Sequence, residues 1–370
     1  MTKAGRFATL SRFLEEDPDN IRLLVDAAEA ALDEGELQAA AELLARHERI
    51  APLSIEARHL SAVIAMQAQD WSHAAEALAS LRADGVDAPP LRFNLAWSLS
   101  MQQHFDAALE LLDESTGEAL PQAAELEIQL LHQLGHLDAA TARAHQYVAR
   151  HPEHRGLNAA ISVLALDIED SELAARCARA AGDHPDALTS IGTLALENDD
   201  PASAGELFDA ALARNPGSPR ALIGRGLVRL LANEAAAAND LDRGAEIFGT
   251  HLGSWIAAGW AYVIAGDTGA GRQRFGRALA IDDNFAEAHG SLAVVELLSG
   301  DMDAARQRTE VALRLDRQCF SGALAATLLA AGSGEQARAE MIFRRALETP
   351  IDASGRTIAA SLVRLGIGTA

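Results

Sequence analysis

Residues 252–285, LGSWIAAGWAYVIAGDTGAGRQRFGRALAIDDNF, carry the pattern that decides the fold. Two stretches with helical apolar spacing flank Gly266-Asp267, a pair suited to ending one helix and opening the next. Glycine takes the left-handed C-terminal cap, and a carboxylate favours the positive end of the following helix. Small residues at Gly259 and Ala278 sit among the large Trp255, Tyr262 and Phe275, as two closely packed antiparallel helices require.

The pattern repeats along the chain with a period of 34 residues: Pro52 follows Pro18 at that interval, with Gly35 at the turn between them. A second clear unit opens at Pro185, with Leu188, Ile191-Gly192, Ala195, Ala204, Phe208, Ala211 and Asn215-Pro216. Paired small residues recur at Ala28 and Ala40, Ala62 and Ala74, Ala96 and Ala108, Gly192 and Ala204, and Ala293 and Ala305, where bulk would wedge the helices apart. Leu24 and Leu44, Leu95 and Leu112, Ile191 and Phe208, Leu222 and Leu241, and Phe343 fall at helical spacing around them and fill the seam. Gly35-Glu36, Gly300-Asp301 and Gly334-Glu335 repeat the turn signal, while His104 and His136 take the acidic slot in two other units.

Over nearly all of its length the chain resembles the tetratricopeptide repeat (TPR) superfamily. The resemblance implies an all-α fold, a right-handed α-α superhelical solenoid of about ten helix hairpins with short capping helices. On this register the hairpins begin near Ile21, Ile55, Pro89, Pro121, Arg155, Pro185, Pro219, Leu252, Ala286 and Phe320. Residues 1–20 form a cap or partial repeat, 21–353 the solenoid and 354–370 a C-terminal cap; a solenoid of this length counts as one unit. The third hairpin is short, and the fifth loses about a turn near Gly182 and carries Glu169-Asp170 where Gly-Asp is expected. The turn-rich segment 83–90 is the place for a local kink.

The chain holds 53 acidic and 31 basic residues, a net charge of -22, and Lys3 is its single lysine. Such a balance repels phosphate backbones, and no basic stripe offsets it, so nucleic acid is not the expected partner. The densest basic stretch, Arg272, Arg274 and Arg277, is flanked by Asp267, Asp282 and Asp283 and reads as a solvated helix face. Cys177 and Cys319 are far apart and give no disulfide framework. The N-terminus lacks an apolar leader, and no long apolar run occurs, so a cytoplasmic protein without membrane insertion is expected.

No constellation for catalysis emerges, and neither a cofactor nor a metal is expected. His132 and His136 are separated by the helix-ending Gly135, and His151 and His154 fall in a turn beside Pro152, where solvated imidazoles are ordinary. The segment 266–271 has the glycine spacing of a phosphate loop, but it follows a helix and lacks a lysine. Asp199-Asp200 and Asp282-Asp283 belong to repeat turns, where carboxylates favour the next helix start. No nucleophile elbow is present. The reading is a chain that is not an enzyme.

The resemblance implies a ligand groove along the first helix of each hairpin. Carried over residue by residue, the inward positions are Phe93, Trp97, Met101, Gln129, Ile223, Leu227, Leu230, Ile256, Trp260, Val263, Val294 and Leu297. His59, Val63 and Met66 extend the first apolar zone, and Glu125, His132, Gln133, Asp167, Asp186, Thr193 and Glu197 form a polar middle. The aliphatics among these could equally be core between neighbouring hairpins, whereas Trp97 and Trp260 have the character of interface anchors. The lysines of a carboxylate clamp are absent, with Asn94 an isolated match. The expected function is a scaffold or adaptor that holds another protein, as a peptide or amphipathic helix of basic character. The alternative is a non-catalytic regulatory or substrate-presenting subunit of an enzyme, envelope or secretion assembly. Oligomeric state and partner identity are not readable.

Overall fold

The structure is a computed structural model in which residues 5–349 and Thr357 are described. These residues form 22 α-helices and no strand, so the fold is all-α. They fall into two compact units, Met1–Glu169 and Asp170–Ala370, with the boundary in the fifth hairpin at the Glu169-Asp170 turn.

In the first unit, α1 (Arg6–Glu16) packs on the hairpin α2 (Ile21–Asp33) and α3 (Leu37–Ile50). Next come α4 (Ile55–Gln67) with α5 (Trp71–Ala83), then α6 (Pro89–Met101) with two short helices, α7 (Phe105–Leu109) and α8 (Glu114–Ala119). The unit continues with α9 (Pro121–Gln133), α10 (Leu137–Arg150) and α11 (Arg155–Asp167). The second unit opens with α12 (Ser171–Ala181) and continues as five hairpins. These are α13 (Pro185–Glu197) with α14 (Pro201–Arg214), α15 (Pro219–Leu231) with α16 (Ala237–Phe248), α17 (Leu252–Ile264) with α18 (Thr268–Ile281), α19 (Ala286–Leu298) with α20 (Met302–Leu315), and α21 (Phe320–Gly332) with α22 (Gln336–Glu348).

Each first helix begins at the residue that the 34-residue register assigns to it. At Pro89, Pro121, Pro185 and Pro219 the reason is plain: proline lacks a donor that the first turn of a helix leaves unbonded anyway, and its fixed φ suits the start. The trailing cap expected over 354–370 lies, apart from Thr357, outside the described residues.

Turns between the helices of a hairpin pass through a left-handed residue. Gly35, Gly135, Gly266, Gly300 and Gly334 do so at φ 76–88°, and Gln69, Gln103, Glu169, Asp199 and Asn233 take the same conformation at φ 57–64°. An L-residue pays a steric penalty there that glycine does not, and packing of both helices overrides it. Asp70, Asp170, Asp200, Asp267 and Asp301 then accept the third backbone N–H of the following helix at 2.8–3.1 Å. Glu36 and Glu335, one methylene longer, make no such bond.

The small-residue pairs are the floor of the core: Ala28, Ala40, Ala62, Ala74, Ala96, Ala108, Ala204, Ala293 and Ala305 are all fully buried. Leu24, Phe208, Leu241 and Phe275 fill the seams, also fully buried, each contributing roughly 1.5–3 kcal/mol. Phe343 departs from the expected seam. It lies on α22 and is exposed.

The third hairpin is short because its second helix breaks. After Leu109 the chain turns, and Asp113 starts α8 by accepting Thr116 N at 2.8 Å, Thr116 Oγ1 at 2.7 Å and Ser115 Oγ at 2.8 Å. Arg92 Nη1 adds an ion pair at 2.7 Å. The hydrogen bond from the Thr116 hydroxyl leads these effects, and together they hold the Asp113 carboxyl down at about 2. The segment 83–90 is held by Asp87, which pairs with Arg92 at 2.8 Å and Arg82 at 3.4 Å.

Candidate interaction faces

First helices of successive hairpins touch directly, α9 on α11 in the first unit and α13 on α15, α15 on α17, α17 on α19 and α19 on α21 in the second. Second helices reach the next hairpin through its first helix, as α14 does on α15 and α18 on α19. First helices are therefore the inner layer of each unit, and their outward residues form a continuous face.

In the second unit this layer is locked from below. Gly290 of α19 lies so close to α21 that a Cβ there would stand 2.3 Å from the Gly322 backbone nitrogen. Beside it, the Trp260 indole N–H donates to Ser291 Oγ at 3.0 Å, and the Ser291 hydroxyl donates to Ser321 Oγ at 3.1 Å. Glu287 accepts the backbone N–H groups of Phe320 and Ser321 at 2.7 and 3.2 Å, satisfying the start of α21. Farther back, Arg225 Nε and Nη2 and Arg229 Nη1 all donate to the buried Asp240, at 2.7, 2.8 and 2.6 Å.

This locking sorts the expected groove residues. Leu227 is exposed, while Ile223, Leu230, Ile256, Val263 and Leu297 are half-buried and pack against the clusters beneath them. Val294 is only 4% exposed, against Ala325 and Leu324, so it is core and not surface. Trp260 is half-buried, edge-on to Phe275 with ring centroids 5.7 Å apart; its polar tip is already bonded inside the protein, so it is a packing residue. Three residues of the same face were not among the expected set: Leu231, Ile264 and Leu298, 51%, 58% and 60% exposed. Each is the last residue of its first helix, the place Met101 holds in α6, so reading that one column through every repeat would have found them.

The first unit presents a different face. Trp97 and Met101 are exposed, Phe93 stacks obliquely on Trp97 with centroids 6.2 Å apart, and on α4 Val63 and Met66 are half-buried, Met66 packing with Phe93 against one core cluster. The neighbouring hairpins contribute exposed Gln129, bonded to Glu125 at 3.4 Å, and the pair His132–Asp167 at 2.7 Å. The turn histidines are not idle solvated rings. His154 caps α11 by accepting Leu157 N at 3.1 Å, and His151 bonds the Gly117 carbonyl at 2.8 Å. Burial and the neighbouring His151 hold the His154 imidazole below its ordinary range.

The remaining charged stretches are structural. Arg274 pairs with Asp242 at 2.6 Å and stacks on Tyr262 at 4.7 Å, and Arg272 reaches Glu296 at 3.4 Å. Asp267 caps α18, so segment 266–271 is a helix turn. Cys177 and Cys319 are buried free thiols; burial, with Glu287 nearby, pushes the Cys319 thiol up to about 12. Among the described residues no group of three or more His, Cys, Asp or Glu is arranged to hold a metal, and no helix is long and apolar enough to cross a membrane.

With this geometry in place the family follows. The tetratricopeptide repeat profile matches residues 8–55, 189–249 and 256–318, and the chain is a member of the tetratricopeptide repeat superfamily. No curated protein matches it in sequence. Among solved structures, human IFIT1, a dimer with m7Gppp-AAAA, aligns over 94% of this chain and 95% of its own at 12% identity and a TM-score of 0.50. A monomeric IFIT1 mutant with Gppp-AAAA aligns over 92% and 94% at 11% identity and a TM-score of 0.52. MamA aligns over 43% of this chain and 93% of its own at 21% identity, with a TM-score of 0.35. At such identities the IFIT1 likeness speaks to fold alone, that of an all-α repeat protein.

Proposed function

We propose that this chain is a non-catalytic scaffold that holds a partner protein on its first-helix faces, the second unit receiving the apolar side of a partner helix. The observation that carries the reading is the row Leu231, Ile264 and Leu298, more than half exposed at one register position of three consecutive hairpins. Leu227 and Leu328 extend it, at 36% and 41% exposure. Exposed aliphatics aligned over several repeats are costly to leave in water and mark an interaction surface. An amphipathic helix offers the matching strip of apolar anchors.

The residues on this face argue for protein over the capped RNA seen with IFIT1. A phosphate-bearing ligand needs unneutralised cations, and here Arg225 and Arg229 are tied to Asp240 and the chain as a whole is at -22. The test is affinity capture from native cells with the wild-type chain and with a double variant, Ile264→Asp and Leu298→Asp, as baits. Both positions are solvent-exposed, so the variant keeps its helicity and melting temperature. The reading expects a protein retained by the wild type, lost from the variant and insensitive to nuclease. Equal retention by both baits, or loss of the retained protein on nuclease treatment, contradicts it.

A further inference from the structure

The exposed row on the second unit has a charged border, which narrows what can lie on it. Two of its first helices, α17 and α21, carry no charged residue at all. Charge returns in the turn that ends each first helix. Leu231, Ile264 and Leu298 are followed three residues later by the exposed acids Glu234, Asp267 and Asp301, and Glu335 stands three residues after Gly332, the last residue of α21. Each turn is fixed: the backbone N–H groups of these four acids donate to the carbonyls of Arg229, Tyr262, Glu296 and Ala330 at 2.8–2.9 Å. Three residues reach at most about 11 Å, so every acid stays within that distance of the residue it follows. Glu234 and Glu335 have an arginine in reach, Arg229 at 3.8 Å and Arg338 at 2.8 Å. Asp267 and Asp301 have none among the described residues. Each accepts the backbone N–H that starts its helix, and Arg272, which reaches α19 from α18, is taken up by Glu296 at 3.4 Å and Ser299 at 3.5 Å.

We infer that this face takes an amphipathic helix with apolar residues at seven-residue spacing and lysine or arginine along the flank that meets the turns. First helices in direct contact, as α15 is with α17 and α17 with α19, have axes about 8–10 Å apart. Seven residues of an α-helix advance about 10.5 Å, so a helix laid across the hairpins sets one apolar anchor on each of Leu231, Ile264 and Leu298. Its basic flank meets Asp267 and Asp301, whose charges no arginine among the described residues neutralises. An acidic flank would face a border of four carboxylates and be repelled. The inference rests on the scaffold reading above and deepens it, specifying the spacing and the charged side of the helix that is held.

The experiment titrates the full chain into dye-labelled helical peptides of about 21 residues, read by fluorescence anisotropy. One peptide carries a leucine strip with a lysine flank, the second the same strip with a glutamate flank, and the third an alanine strip with the lysine flank. The leucine–lysine peptide is expected to bind about tenfold more tightly than either of the others. Asp267→Asn combined with Asp301→Asn keeps both helix starts, since an asparagine oxygen accepts the same backbone N–H. This pair should weaken leucine–lysine binding about threefold in physiological salt and by less in molar salt. Asp282→Asn with Asp283→Asn removes equal charge beyond the far end of α18, about 20 Å away, and should change binding by less than about twofold. Absence of leucine–lysine binding, equal binding of the leucine–glutamate peptide, or equal effects of the two asparagine pairs overturns the inference. So does leucine–lysine binding that Ile264→Asp leaves untouched, because the apolar row would then not be the seat. The scaffold reading is decided separately, by whether the native protein is lost from the Ile264→Asp, Leu298→Asp bait.

Discussion

Trp97 and Trp260 are the ninth residues of their first helices, α6 and α17, yet one is surface and the other is packing. The next hairpin decides between them. Opposite Trp260, α19 offers Gly290 and Ser291 at its fifth and sixth positions: the glycine lets the helices close up, and the serine accepts the indole N–H. At the same two positions α9 carries Glu125 and the buried Leu126: a long side chain stands where α19 has its glycine, and an aliphatic one where α19 has the serine that accepts the indole N–H. A residue's repeat position therefore does not fix its role; the two residues facing it from the following repeat do.

The largest expected effect bears on the locking of the second unit. Asp240→Ala leaves Arg225 and Arg229 half-buried without their shared carboxylate and should cost about 3–5 kcal/mol in denaturant unfolding, with Asp240→Asn recovering part of it. A loss under about 1 kcal/mol would mean that the unit does not depend on this network.

The two tryptophans supply the next contrast. Trp260→Ala should destabilise by about 3 kcal/mol, since it empties space against Phe275 and removes the indole's hydrogen bond to the buried Ser291, whereas Trp97→Ala should cost under about 1 kcal/mol. Equal losses would remove the distinction on which the two faces rest.

A smaller effect tests the broken helix beneath Trp97. Because the Asp113 carboxyl is held at about 2 in the folded protein against 3.8 unperturbed, its contribution is fully present above pH 4 and fades as pH falls toward 2. The carboxylate is about half exposed, so Asp113→Asn should lower stability at pH 6 by no more than about 1 kcal/mol, with the gap narrowing by pH 3. A gap independent of pH would assign the cost to packing.

The smallest concerns turn geometry. Gln103→Gly, at φ 64°, should stabilise the third hairpin by about 0.5–1 kcal/mol, and Gly300→Gln, at φ 83°, should cost the ninth about as much.

Much of this was legible in the sequence. The period of 34 and its proline and Gly-Asp signals place every first-helix start, because each mark answers a local backbone requirement that needs no knowledge of the rest of the chain. The left-handed turns at Gln69, Gln103 and Glu169 carry no such mark, since the conformation costs little enough for packing to impose it on any residue. The face was legible only in outline. Val294 and Trp260 look like groove residues until Gly290 is seen to draw α19 against α21, and the row at Leu231, Ile264 and Leu298 stands out only once burial separates it from its equally apolar neighbours.

The most direct test places a photo-crosslinking amino acid at Ile264, on the first-helix face, and separately at Ala280, on the second helix of the same hairpin, in the native cell. Crosslinking from position 264 to one partner protein, with none from 280, is the predicted result. The same protein captured equally from 280, or none from 264, would contradict the claim that first-helix faces hold the partner.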